Sequence, residues 1–416
     1  MTSLWIYNGT LIDGTGRPPV KNAVVLVENN RIRAVGAADS ISYPGGDITD
    51  VDARGGFILP GMIDTHIHAM FEIGDMRQAI TRPFSLNFYR AIPFLRRTIE
   101  AGITTVRDAG GADLGVKQAL EEGLILGPRM QISITVLGIT GGHADGWMPS
   151  GAAYNLFPDY PGNPNGICDG VEEVRKKVRE VLRAGAEVIK ICSTGGVLSP
   201  TDHPEYTQFS PEELAVIVQE ARYRRNTKVM AHAQGAEGVK NAVRAGIHSI
   251  EHGIYLDEEA IDLMLEHGTF LVPTLLAPLS VLEQAEANPG SMPEYGIRKA
   301  REVIEIHRDS IANAHRSGVK IAMGTDAGVM PHGTNLRELG LMCDIGMSPM
   351  EAIVATTQTA ATVLGWQDNI GTLEAGKLAD VIVTRTDPLA DIRSLEMPDN
   401  IPVVIKDGRI VKDRRV

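Results

Sequence analysis

The segment Asp64-Thr65-His66-Ile67-His68 closes an apolar run, and on a strand residues two apart share a face, so His66 and His68 aim at one point. Two imidazoles converging there suit a metal ion. Lys190 lies inside Glu187-Val188-Ile189-Lys190-Ile191-Cys192, an apolar strand where a lysine is rare. A buried neutral lysine can act as a nucleophile or base. It can also take up carbon dioxide as a carbamate, whose two oxygens reach two metals. His232 closes Val229-Met230-Ala231-His232, His252 closes Ser249-Ile250-Glu251-His252, and Asp326 follows Met323-Gly324-Thr325. All six groups therefore fall at the carboxyl ends of expected strands.

The elements that must position them follow from the texture of the chain. Between about Phe57 and Gly365, short apolar runs alternate with longer helical patterns. Strands are expected at Phe57 to Ile67, Ile103 to Asp108, Arg129 to Gly138, Val188 to Cys192, Lys228 to Ala233, Ser249 to Glu251, Phe270 to Thr274 and Lys320 to Gly324. Val171 to Ala184 carries an apolar stripe opposite Lys and Arg, and Ser210-Pro211-Glu212-Glu213 reads as a helix start. Repeated strand and helix over this length points to an α/β fold, a (β/α)8 TIM barrel, whose chemistry sits at the carboxyl ends of its strands. A doubly wound sheet is the rival, but no Gly-rich phosphate loop follows the first strand. Short β-segments at both ends of the chain point to a small β-sandwich domain built from both termini, residues 1–58 and 366–416, around a barrel of residues 59–365.

Composition narrows the partners. The chain has 416 residues with 40 Lys+Arg against 52 Asp+Glu, a net charge of −12, which disfavours nucleic acid and anionic membranes. Three cysteines, an odd number, suit a reducing compartment better than a disulfide framework. The opening Met1-Thr2-Ser3-Leu4-Trp5 shows no basic region before an apolar run, and no apolar stretch nears the roughly 20 residues of a membrane span. A cytoplasmic protein acting on a small molecule is expected.

These motifs, with Leu59-Pro60-Gly61-Met62-Ile63 before His66 and Gly371-Thr372-Leu373-Glu374-Ala375-Gly376-Lys377-Leu378-Ala379-Asp380-Val381 near the end, resemble the metal-dependent amidohydrolase superfamily from end to end. Thr105-Val106-Arg107-Asp108-Ala109-Gly110-Gly111, Thr140-Gly141-Gly142-His143-Ala144-Asp145 and Thr194-Gly195-Gly196-Val197 look like its prolidase-like and Xaa-Arg/Lys dipeptidase branch, which is similar to imidazolonepropionases and includes N-acyl amino acid hydrolases. The resemblance implies two divalent metal ions, zinc being the expectation. His66, His68 and Asp326 would hold the more buried ion, His232 and His252 the more exposed one, and carboxylated Lys190 would bridge them. A hydroxide shared by the two ions would attack the carbonyl, with Asp326 moving its proton to the departing amine. His143 is expected to hydrogen-bond the substrate carbonyl and the oxyanion that follows.

Gln234 occupies the position two beyond His232, where prolidase-like members carry an aromatic facing the substrate carboxylate, so Gln234 is expected at the substrate; His332 is expected on the pocket wall. Trp147 to Cys168 is expected to form a lid or wall. Arg107, Lys117 and Arg129 have no evident role at the substrate, Cys192 reads as a packed thiol, and His203, His248, His267, His307 and His315 read as structural or solvated. The function so implied is hydrolysis of an amide C–N bond in a dipeptide, Xaa-Pro or related, or in an N-acyl amino acid, by a homo-oligomer. The alternatives are a mononuclear cyclic amidohydrolase resembling imidazolonepropionase, a carbamate or urea hydrolase, and a non-catalytic scaffold. A one-metal site has no use for Lys190 as a bridge, and a scaffold would be missing ligands.

Overall fold

The computed structural model describes residues 3–73, 81–155 and 157–415. The N-terminal end supplies β1 (Ser3–Leu11), β2 (Val20–Glu28), β3 (Arg31–Ala37), β4 (Thr49–Asp52) and β5 (Phe57–Pro60). After these come the parallel strands β6 (Met62–Ile67), β7 (Ile103–Asp108), β8 (Arg129–Ile132), β9 (Val136–Leu137), β10 (Val188–Cys192), β11 (Lys228–Ala233), β12 (Ser249–His252) and β13 (Phe270–Val272). The C-terminal end adds β14 (Val381–Thr384), β15 (Val403–Lys406) and β16 (Arg409–Asp413).

The two chain ends meet in one eight-stranded sheet in the order β16-β15-β14-β5-β1-β2-β3, with β4 also on β1. Its seam is the antiparallel pair of β14 with β5, Val381 opposite Pro60. The sheet has its own apolar core of Leu4, Ile6, Val25, Ile58, Val381 and Val403 among others. The expected single strand from Phe57 to Ile67 is two strands, because β5 belongs to this sheet and β6 to the next. Gly61 makes the turn, and a Cβ there would strike the Thr104 side chain.

The remaining strands form a mixed α/β region, with helices between parallel strands. They lie in two ladders, β6-β7-β8 and β13-β12-β11-β10-β9, rather than one closed ring. Arg129 to Gly138 breaks into β8 and β9 at Ile134, whose φ is 72°. The last expected strand, Lys320 to Gly324, is not a ladder; it is held by isolated bridges, with Leu271 opposite Ile321, and by Thr65 N–H donating to Met323 O at 3.0 Å. The backbone then enters the left-handed region at Asp326, φ 63°. Helix Val171–Arg183 buries Val174, Val178 and Val181 as its stripe requires. Helix Pro211–Tyr223 starts in a capping box, Ser210 accepting from Glu213 N–H and Glu213 accepting from Ser210 N–H.

Arg129 ties the parallel strands to the terminal sheet, with Nη1 2.5 Å from Asp380 and Nη2 2.5 Å from Asp407. Burial works against the Asp407 carboxylate, but Arg129 and Lys406 outweigh it and hold its pKa below 3.8. A depressed carboxylate contributes stability that is present above its unfolded pKa and lost as the pH falls through the folded one. Arg129→Met is therefore expected to cost about 2–3 kcal/mol at neutral pH in urea unfolding, with less of that difference remaining below about pH 4. An equal loss at all pH values would assign the effect to packing alone.

Candidate metal centre

Every residue of β6 is buried, which lets its end be set by polar contacts in the interior. Asp64 organises it, accepting from His66 N–H at 3.0 Å, Thr325 Oγ1 at 2.6 Å and Asn335 Nδ2 at 2.7 Å. Burial still pushes the Asp64 pKa up to about 6. The His66 ring is oriented by Glu251, whose Oε2 lies 2.7 Å from Nδ1. Glu251 is held in turn by Arg107 Nη2 at 2.9 Å and Ser249 Oγ at 2.6 Å, and Arg107 Nε donates to Thr65 O at 2.6 Å. An ionised carboxylate only accepts, so Nδ1 of His66 carries the hydrogen and Nε2 is left as a lone pair. His68 repeats the arrangement, Nδ1 donating to Gly110 O at 2.9 Å.

Both free nitrogens face Asp326, His66 Nε2 at 3.5 Å and His68 Nε2 at 3.3 Å from Oδ1. His66, His68 and Asp326 bring three ligand atoms within 4.8 Å of one another. Two imidazole lone pairs turned on a carboxylate oxygen repel unless a cation lies between them, so the donor set fits a metal ion.

Lys190 sits mid-strand in β10, 3 % exposed, with Nζ 3.4 Å from His66 Nε2. Among the described residues no carboxylate lies within ion-pair reach of Nζ. Burial lowers its pKa, which favours the neutral amine that reacts with carbon dioxide. The donor chemistry therefore suits a carbamate better than an ammonium. His232 and His252 stand beside this group, ring centroids 4.5 Å apart, with His252 5.2 Å from His66. His232 Nε2 donates to Gly195 O at 2.9 Å, leaving Nδ1 free; His252 Nδ1 pairs with Thr274 Oγ1 at 2.7 Å, leaving Nε2 free. Burial pushes both imidazoles far below 6.5, as it does His66, so all three offer neutral nitrogens. His252 and Thr274 take φ of 76° and 52°, a left-handed backbone that costs non-glycine residues energy and gathers at functional sites.

The six groups open into a cavity of about 110 Å³. Its apolar wall includes Phe71, Phe157, Val197, Ile254 and Val281. Phe157 comes from the expected Trp147 to Cys168 wall, of which Leu156 lies outside the described residues. His143 lines the cavity, stacked on His232 at 4.1 Å. Burial lowers its pKa. Gln234 also lines the cavity, with its buried Oε1 unpartnered. His332 is outside that lining: its Nε2 donates to Phe71 O at 3.0 Å and its ring stacks on Phe94, so it stands behind the wall. Cys192 does line the cavity, its thiol pushed up to about 12 by burial.

Sequence reasoning missed several groups. His307, expected to be structural, lines the cavity and donates from Nε2 to His252 O at 2.9 Å. Arg107 is the buried partner of Glu251, and Lys117 and Arg129 are engaged by Glu187 and by Asp380. The visible signal for the first pair was two charged residues inside apolar strands, Arg107 in β7 and Glu251 in β12. Among the described residues no helix is long and apolar enough to cross a membrane.

Residues 57–411 match the model of the amidohydrolase family. Ochratoxinase of Aspergillus niger is 35% identical over 98% of this chain and 86% of its own length. A Xaa-Pro dipeptidase solved with methionine in its active site is 37% identical, with a TM-score of 0.89 over 99% of this chain and 100% of its own. A prolidase complexed with N-methylphosphonate-L-proline is 34% identical, with a TM-score of 0.90 over 99% of this chain and 100% of its own. The matched span runs from the strand ahead of His66 into the C-terminal sheet, and the chain belongs to the amidohydrolase family, an enzyme that hydrolyses its substrates.

Proposed function

We propose that the protein is a binuclear metallohydrolase of amide C–N bonds, acting as a dipeptidase or carboxypeptidase or on N-acyl amino acids. The observation that carries this reading is Lys190, buried beside His66 with no carboxylate partner among the described residues. His66, His68 and Asp326 would hold one divalent ion, His232 and His252 the other, with a Lys190 carbamate between them. Zinc is the metal we expect. When bound, the ions would supply Lewis acidity and a water deprotonated near neutral pH. Asp326 takes a proton from the attacking water and hands it to the amide nitrogen as the C–N bond breaks. His143 and Gln234 meet the polar part of the substrate, Phe71 and Phe157 exclude water, and His332 sets Phe71 from behind.

In the same reading the parallel strands, β8 and β9 together making one, and the 320–324 stretch close as a (β/α)8 barrel of residues 59–365. The composite sandwich of 1–58 and 366–416 shares β5 with it across the boundary, and residues 1, 2 and 416 lie outside the described part. The enzyme is further read as a cytoplasmic homo-oligomer.

Metal analysis followed by a panel of dipeptides and N-acyl amino acids, read by ninhydrin, tests the function. Two ions per chain and release of free amine are expected. One ion per chain, or cleavage confined to cyclic amides, would return the mononuclear alternative. Asp326→Asn should keep most of the metal while kcat falls on the order of 10²–10⁴-fold. Loss of metal in step with activity would make Asp326 a ligand only.

A further inference from the structure

The chain that leaves β10 runs beside the metal centre. Gly195 O lies 2.9 Å from His232 Nε2, and Val197 and Leu198 line the cavity. Three carbonyls of this segment, spaced three residues apart, converge on one atom. Lys299 Nζ donates to Gly196 O at 2.8 Å, Ser199 O at 2.7 Å and Asp202 O at 2.7 Å. An ammonium has three hydrogens and no lone pair, so each carbonyl takes one. Without a cation the three oxygens would face one another, so the curl of 196–202 depends on the charge at its centre. Lys299 belongs to helix Glu294–Ser317 and is 2 % exposed. Buried Asp202 supplies the countercharge, with Oδ1 3.5 Å from Nζ. It closes the curl on itself by accepting from Gly196 N–H at 3.3 Å, Gln208 Nε2 at 3.2 Å and the Ser199 hydroxyl.

The same helix secures the opposite side of the cavity. Ser310 Oγ donates to Gly253 O at 2.7 Å and accepts Leu256 N–H at 3.1 Å, which fixes Ile254 between them. Ala300 and Val303, on either side of one further turn, pack into an apolar cluster with Val197, Ile254, Val281 and Val329. These last four also line the cavity, so its apolar wall is one packed unit seated on this helix. Val281 is carried by helix Leu276–Ala287. The 196–202 segment has neither helix nor strand of its own, and ordering an irregular stretch costs about 1–2 kcal/mol per residue in backbone entropy. The buried ion pair and its three carbonyls are what hold it.

We propose that Lys299 is a positioning residue that sets specificity: its ammonium is a fixed cation around which 196–202 is moulded, and it thereby holds Val197 and Leu198 as the wall for a large apolar side chain of the substrate. The inference rests on the amide hydrolase reading and deepens it by naming the substrate class, amides that carry a branched aliphatic or aromatic side chain. Lys299 itself meets only the backbone of the segment and Asp202, so its effect reaches the substrate through Val197 and Leu198. A neutral side chain of the same length would fill the space but leave the three carbonyls unpaired, and the wall would lose its fixed shape.

The test reads Gly-Leu, Leu-Gly and N-acetyl-Leu, each against its glycine counterpart, on the metal-loaded enzyme. In at least one pair kcat/KM should favour leucine on the order of 10²-fold. Lys299→Met should bring that ratio below about tenfold, chiefly through KM of the leucine substrate, at unchanged metal content. Leu198→Ala leaves the ion pair intact and should lower the same ratio. Hydrogen exchange of the metal-free protein reads the segment directly: amides of 196–202 should exchange at least about tenfold faster in Lys299→Met and at the wild-type rate in Leu198→Ala. Wild-type exchange and selectivity in Lys299→Met, an equal loss of turnover on leucine and glycine substrates, or an unchanged ratio in Leu198→Ala overturns the inference. A wild-type protein inert on every amide, whose 196–202 amides still exchange faster in Lys299→Met, counts against the amide hydrolase reading and supports the clamp.

Discussion

Lys190→Ala should fold, lose most of its metal and lose activity by a factor on the order of 10³ or more. The side chain lies mid-strand between Ile189 and Ile191, so no neighbour can supply the missing ligand. Burial of the amine works against its charge, and the variant removes that desolvation while opening a small cavity, so stability should change little. Loss of metal without loss of fold is the signature sought. Acetate or propionate should restore part of both metal content and turnover, because a small carboxylate can fill the space of a carbamate. Metal content read by elemental analysis, next to activity with and without added carboxylate, decides the matter. A Lys190→Ala enzyme with wild-type metal and turnover would sink the two-metal reading.

The second large effect is expected at Glu251, which touches no substrate. Removing it strands Arg107, which is 0 % exposed, and frees the His66 ring that Nδ1 anchors. Glu251→Ala should cost about 3–5 kcal/mol in urea unfolding, since an uncompensated buried charge remains. Its metal affinity, measured against a competing chelator, should fall about 10–100-fold, the usual effect of losing a group that orients a ligand. The paired change Glu251→Leu with Arg107→Leu separates the two roles. Stability should recover largely, because both charges are gone, while metal affinity should stay low because His66 still lacks its acceptor. Unchanged affinity in both variants would make the pair purely structural.

The parts of the site that were legible in advance share one property: each depends on short-range sequence. His66 lies on β6 and His68 just past its end, two residues on, and His232 and His252 close apolar runs that their own residues define. The capping box of Ser210 and Glu213 is likewise a four-residue device. Strand alternation was also local, and it failed where backbone geometry interrupted it. Ile134 splits one expected strand, Gly61 hands another to a different sheet, and 320–324 carries bridges instead of a ladder.

What required the folded chain is every interaction that sequence distance hides. Glu251 meets His66 across 185 positions and Arg107 across 144, and Lys299 reaches the 196–202 loop across about a hundred. Spacing on one element says which face a side chain shares, but it carries no information about the element that will lie opposite. Residue types and local period therefore established the strand-end histidines, Lys190 and Asp326 and the chemistry they suit. Packing alone settled which nitrogen of each imidazole is free, because the hydrogen on a ring goes to whichever acceptor the fold brings against it.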